Sequence, residues 1–208
     1  MIETLQQFDA ALFFAINGMH NPIADWCFRI ITQLGSGWVV VPVLTLIMTL
    51  TIRRDRLVRV MVCGVIGLAL GGVVNSQIKH AVNRQRPAVY LQQLSGTEPA
   101  APDSLSASRV HHEVRLLGPD YSSRSFPSGH TNTAFAAAVF CAVLLGGWYF
   151  ASFAAALAVG YSRIYLGVHF PLDVAAGAFL GAGIMLLVMW GCGCMRSTFS
   201  KRNGHAQQ

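Results

Sequence analysis

Charge is scarce in this sequence. Asp, Glu, Lys and Arg make up only 12% of its 208 residues, about half the share usual in a soluble domain. Acidic residues are the scarcer kind, nine against fifteen Lys and Arg, which leaves a formal net charge of +6. The basic surplus gathers at the ends of apolar runs and forms no basic face with reading groups, which argues against a nucleic-acid-binding module. Cysteine is sparse and odd in number. Cys27, Cys63, Cys141, Cys192 and Cys194 all lie in apolar stretches without a framework spacing, so a disulfide scaffold is not expected. The "GCGC" at 191–194 reads as small residues packed in a membrane rather than as a metal or lipid attachment. The N-terminus lacks the basic segment and cleavage site of a secretory signal, so retained helices would direct insertion. No polar stretch is large enough to build a soluble core.

What fills the chain instead is apolar sequence, 53% by residue with a mean hydropathy of +0.48. It comes in blocks of membrane-spanning length, which predicts an all-α polytopic membrane bundle. Trp38 to Ile52 is one run, closed by Arg53, Arg54, Arg56 and Arg59. Leu57 to Ile78 is a second, and Pro171 to about Cys194 is another, followed by Arg196, Lys201 and Arg202. The stretch from His130 to Tyr161 is too long for one crossing. As a single helix it would reach about 45 Å against a hydrocarbon core of about 30 Å. "GGWY" at Gly146 to Tyr149 offers a break with an interfacial aromatic pair, and two helices fit better.

Charge parity agrees with the break. The arginines at 53–59 belong on the cytoplasmic side by the positive-inside rule, and only a split run returns the basic tail to that side. The first 35 residues hold an amphipathic stretch, "LQQFDAALFFAI", a turn signal "NGMHNP" and a weakly apolar segment, read as an interfacial helix plus a short crossing. The expectation is a single domain over 1–208 with about six helices. Its parts are the N-terminal 1–35, a helical hairpin over 36–87, one long outer loop over 88–126, three helices over 127–195 and a basic cytoplasmic tail over 196–208. The loop is rich in small and turn-forming residues. Its "HHEVR", 111–115, looks like a metal-ligand cluster only superficially and reads as solvated polar sequence.

Parity also places three polar clusters on one membrane face, where ionisable residues are costly and usually functional. The first, "KHAVNRQRP", carries Lys79 and Arg86; alone, both would pass for snorkelling anchors. The second lies within "YSSRSFPSGHTN", where Ser128 suits an N-cap and Gly129 and His130 open a helix. Exposed backbone amides and the helix dipole make such a mouth an anion site. The third, "SRIYLGVHFPLD", carries Ser162, Arg163, His169 and Asp173. An aspartate four residues after a histidine can hold one imidazole nitrogen and leave the other as a nucleophile. Two histidines, three cations, a helix N-terminus and an orienting carboxylate suit a transferring phosphoryl group. One histidine would attack phosphorus while the other protonates the leaving oxygen. With no carboxylate cluster, neither a metal ion nor another cofactor is expected.

At these residues the chain resembles the type 2 phosphatidic acid phosphatase superfamily. Its tripartite signature is present in order and spacing: Lys79 with Arg86-Pro87, then Pro127-Ser128-Gly129-His130, then Ser162-Arg163 with His169 and Asp173. The resemblance implies a six-helix bundle and metal-independent removal of phosphate from a lipid in the bilayer. By it, His169 is the nucleophile that forms a phosphohistidine, Asp173 orients it and His130 is the general acid. Lys79, Arg86, Arg163, Ser128 and the Gly129 amide would bind the phosphate oxygens. Short chains of this organisation are similar to bacterial undecaprenyl diphosphate, phosphatidylglycerophosphate and lipid A phosphatases. An outward site suits recycling of a carrier lipid diphosphate, so undecaprenyl diphosphate ranks first, in a bacterial-type inner membrane with the C-terminus cytoplasmic. No obligatory protein partner is evident. A lipid phosphotransferase is the nearest alternative. A transporter or non-catalytic scaffold is the different-class reading, in which Gly67 with Gly71 and Gly177 with Gly181 would serve helix packing.

Overall fold

Helix starts in this chain fall where capping residues stand in the sequence. Asn21 accepts from the Ala24 amide at 2.8 Å and Pro22 follows it at the first helical position. Ser128 caps a second helix, and Pro171 opens a third whose Asp173 carboxylate reaches back to the Phe170 amide at 2.9 Å. The computed structural model describes residues 2–94, 114–117, 124–146 and 149–194. Among these, the helices are α1 (Ile2–Asn17), α2 (Pro22–Ile31), α3 (Gly37–Thr51), α4 (Arg54–Val82), α5 (Pro87–Leu94), α6 (Gly129–Leu145), α7 (Tyr149–Tyr165) and α8 (Pro171–Gly191), with a 3-10 turn at Thr32–Gly35. No strand ladder accompanies them among the described residues. The all-α bundle read from the apolar runs is therefore what the chain forms.

The long apolar run does divide. α6 ends at Leu145, Gly146 takes a positive φ of 64° that only glycine adopts without cost, and α7 begins at Tyr149. Eight helices are described against about six expected, and the one with no counterpart in that reading is α5. α5 occupies the start of the segment read as outer loop, with Pro87 preset for a first turn and apolar residues after it. α2 and the 3-10 turn after it occupy the weakly apolar segment that follows the "NGMHNP" turn. Most of the arginine-rich segment is already helix, since α4 begins at Arg54. His111, His112 and Glu113, and the Arg196, Lys201 and Arg202 tail, lie outside the described residues.

Arg54–Tyr90 and Pro171–Gly191 are long and apolar enough to cross a membrane. Pro22–Gly35 and Gly37–Thr51 pass as a pair bent by 65°, and α6 is a shorter apolar helix. The outer surface is apolar too, with Trp38 92% and Phe179 80% exposed. Hydrophobic burial cannot drive assembly against lipid tails, so close packing must. α6 lies at the centre, against α3, α4, α7 and α8. Phe140 on α6, Met185 and Met189 on α8, Cys63 on α4 and Met48 on α3 fill one core. Towards the other end, small residues bring backbones together. A Cβ on Gly177 would lie 2.4 Å from the Ser128 carbonyl oxygen, and one on Gly181 2.0 Å from that of Asn132. α8 thus rests directly on the first turn of α6.

The N-terminal helix is tied to the same end. Asn17 accepts from the Arg115 amide at 2.8 Å and donates to the carbonyls of Arg115 and Tyr165, both at 2.9 Å. The Leu117 amide donates to the Leu166 carbonyl at 3.2 Å. Gly167 turns beneath them with φ 76°, and a side chain there would meet the Arg115 carbonyl at 2.6 Å. One short piece of the polar segment is in this way fixed over the α7–α8 connection.

Candidate active site

The three sequence clusters come together where four helices end. Lys79 is in the last turn of α4, and Arg86 follows in the link to α5, buried. Ser128 caps α6, Gly129 is its first residue and His130 lies in its first turn. Arg163 is in the last turn of α7, His169 in the connection that follows, and Asp173 in the first turn of α8. The backbones interlock as well: the Ser128 amide donates to the Asp173 carbonyl at 2.9 Å, and the His169 amide to that of Arg163 at 3.2 Å. Lys79, Arg86, Arg163 and His169 are all close enough to the His130 ring to act on its charge. All eight residues singled out from the sequence are thus gathered at one end of the bundle.

His169 is 2% exposed and Asp173 is fully enclosed. The ring presents Nδ1 to Asp173 Oδ2 at 3.5 Å, an ion-pair separation too long for a good hydrogen bond, and Nδ1 has no other partner. Nε2 is therefore the nitrogen left for chemistry. Burial, helped by the Arg163 and Arg86 charges and opposed by Asp173, holds the His169 pKa down to about 4. The imidazole is neutral at ordinary pH.

Asp173 is held from several sides. It accepts from Arg84 Nη1 at 2.7 Å, from the Phe170 amide at 2.9 Å, and from the Ser125 hydroxyl. Arg84 in turn donates from Nη2 to Asp9 Oδ2 at 2.6 Å and lies over the Phe170 ring, 4.2 Å from its centroid. Arg163 donates to Thr32 Oγ1 at 2.8 Å, which brings the 3-10 turn to the site. Gly35 sits against His130 so closely that a Cβ would be 2.8 Å from its carbonyl oxygen. Arg124 reaches Asn83 at 2.7 Å and also contacts His80, bridging the approach to α6 with the end of α4.

Arg84, Asp9 and Thr32 did not stand out in the sequence. Arg84 was within reach, since it stands two residues before Arg86 in the first cluster. Asp9 left no signal of its burial, since it shares α1 with Glu3 and two glutamines and reads there as part of a polar face. Thr32 left none either.

A cluster of cations and backbone donors around two histidines and a carboxylate can bind and transfer a phosphoryl group. Known proteins are similar to this chain over most of its length. The model of the PAP2 superfamily matches residues 59–193. The chain is 29% identical to a lipid A 4'-phosphatase of Bacteroides thetaiotaomicron, covering 87% of this chain and 75% of that protein. It is 28% identical to an undecaprenyl-diphosphatase of Sulfolobus acidocaldarius, with 86% and 76% covered. Its fold is similar to the crystal structure of Aquifex aeolicus LpxE, at a TM-score of 0.65 and 31% identity over 86% of this chain and 93% of that one.

Proposed function

The chain belongs to the PAP2 superfamily and is a membrane lipid phosphatase, and from that premise we propose that it hydrolyses a lipid diphosphate through a phosphohistidine. The observation that carries the reading is the gathering of His169, Asp173 and His130 among Lys79, Arg86 and Arg163 at one end of the bundle. His169 Nε2 attacks phosphorus, because Nδ1 is turned to Asp173. The new N–P bond forms as the P–O bond to the leaving group breaks, and that oxygen takes a proton from His130. Water then gives a proton to His130 and attacks phosphorus, and the N–P electron pair returns to His169. Lys79, Arg86, Arg163, Ser128 and the Gly129 amide bind the phosphate oxygens, where charge builds in the transition state. No step is assigned to a metal ion.

Undecaprenyl diphosphate ranks first among substrates. The name of the Sulfolobus relative supports it, as does the parity argument for an outward site. On that argument the C-terminus is cytoplasmic, and the protein lies in a bacterial-type plasma membrane. The name of the Bacteroides relative supports lipid A as a second reading. The test is phosphate release by the detergent-solubilised protein in EDTA, offered undecaprenyl diphosphate, phosphatidylglycerophosphate, phosphatidic acid and lipid A in parallel, with His169→Ala as control. Release from undecaprenyl diphosphate above the others, lost in the control, is the expected result. Preference for lipid A would move the substrate to the second reading. Turnover surviving in His169→Ala would overturn the mechanism.

A further inference from the structure

Among the described residues of the first 35, Asp9 on α1 is the most deeply buried charge, 1% exposed, and no part of the family signature reaches it. Both of its oxygens are engaged at the mouth of α8. Oδ1 accepts from the Leu172 amide at 2.8 Å, and Oδ2 from Arg84 Nη2 at 2.6 Å. The other guanidinium nitrogen, Nη1, donates to Asp173 Oδ1 at 2.7 Å. A single arginine therefore bridges two buried carboxylates, one of which faces His169.

The charge count matters more than the contacts. Arg84 alone would neutralise Asp173, and the imidazole would then face Arg86 and Arg163 with no net negative partner. With Asp9 added, the trio Asp9–Arg84–Asp173 carries −1 − 1 + 1 = −1. The arginine is satisfied from behind, and Asp173 keeps its negative character on the side that faces the ring. Charges this close interact strongly wherever water is partly excluded, though Arg84 is a quarter exposed and so partly screened.

Resting on the reading of His169 as nucleophile, we propose that Asp9 is a positioning residue for catalysis: it balances Arg84 so that Asp173 remains an anionic, correctly held partner of the His169 imidazole. The N-terminal helix thereby completes a site whose signature residues all lie elsewhere.

The test uses the full chain in detergent and three variants: Asp9→Asn, Arg84→Gln, and both together. Asp9→Asn keeps the size of the side chain and an acceptor for the Leu172 amide while removing the charge. It is expected to lower kcat and the rate of phosphohistidine formation by roughly 10- to 100-fold, the size usual for a group one step from the reacting residue. KM should stay within about twofold, because no phosphate ligand is touched. Arg84→Gln should also lose rate, leaving two carboxylates unbalanced. The double variant returns the local charge to −1 and should form the phosphoenzyme faster than either single variant. A purely structural role predicts the opposite, a double variant no better than the worse single one. Should Asp9→Asn prove unfolded by size-exclusion chromatography, the comparison of the double variant with Arg84→Gln decides alone. Wild-type kcat in folded Asp9→Asn sinks this inference while leaving the phosphohistidine reading intact. Turnover in His169→Ala sinks both.

Discussion

Replacing Gly177 with alanine tests whether packing between two helices sets the geometry of catalysis. The added Cβ would lie 2.4 Å from the Ser128 carbonyl oxygen. Ordinary contact requires about 3.4 Å, so the backbones of α8 and α6 must part locally by roughly 1 Å (3.4 − 2.4). Neither partner is the end of a flexible side chain, so the displacement passes to the helices themselves. α8 carries Asp173 and follows His169, whereas α6 carries Ser128 and His130. The Ser128 amide bond to the Asp173 carbonyl, 2.9 Å long, spans that same junction. A misplacement of this size costs on the order of 100-fold in rate, and overpacking of this kind destabilises by about 1–3 kcal/mol. Gly183→Ala is the matched control, since no atom lies within 4 Å of its added Cβ on the same helix. The assay is kcat/KM for phosphate release in detergent, with thermal unfolding of both variants alongside. Gly177→Ala is expected to fall about 100-fold and to unfold at lower temperature, while Gly183→Ala stays within a factor of about two. Equal activity in the two variants would refute the claim that α6 and α8 meet through Gly177.

Three shorter expectations concern the chemistry. His169→Ala should abolish turnover and leave the melting profile of the protein intact, and phosphohistidine trapped from wild type should be absent. His130→Ala should slow phosphoenzyme formation by about 100-fold or more, the usual share of a general acid; rapid-quench measurement that finds the rate unchanged would remove it from that role. The pH profile follows from the His169 pKa of about 4. A nucleophile must be neutral, and a lowered pKa keeps it neutral until the pH falls through about 4. The acid limb of kcat/KM that belongs to the enzyme should therefore lie near 4, not near the ordinary histidine value of about 6.5. Titrating the substrate phosphate separately distinguishes its own ionisation from that limb.

What could be read from the sequence was whatever a helix end states locally. Ser128, Pro171 and the break before Tyr149 each carry their own capping or turn signal, so the mouths of α6, α7 and α8 were legible residue by residue. Six of the eight candidate residues, Ser128, Gly129, His130, Arg163, His169 and Asp173, stand in fixed spacings at the ends of those helices, whereas Lys79 and Arg86 stand at the end of α4 and just beyond it. α5 was not legible, since eight residues of mixed polarity after Pro87 look the same as the start of a loop. The Arg84 bridge was illegible for a different reason. Its two carboxylates lie 75 and 89 positions away along the chain, and periodicity reports which face of a helix is apolar, not what that face will meet. Asp9 in "LQQFDAALFFAI", two residues from glutamines, reads as part of a solvated face; only the docking of α1 beside α8 makes it a buried charge.

The arrangement of helix ends also accounts for a site that is ready before substrate arrives. Lys79 and Arg163 occupy the last turns of α4 and α7, where the partial negative charge of the helix terminus favours a cation. Ser128 and Gly129 open α6, where free amides and the positive end of the dipole favour an anion. Asp173 opens α8 and satisfies an amide there, so its charge too is placed where a helix stabilises it. Lys79, Arg163 and Asp173 are thus each held by their own helix, and α6 and α8 are set against each other through Gly177 and Gly181. Cations crowded together with no anion among them would repel one another and splay. The helix termini, the Thr32 hydroxyl on Arg163 and the carboxylates behind Arg84 offset that repulsion without occupying the centre. On the proposed reading, the phosphate of the substrate is the charge that Lys79, Arg86 and Arg163 share.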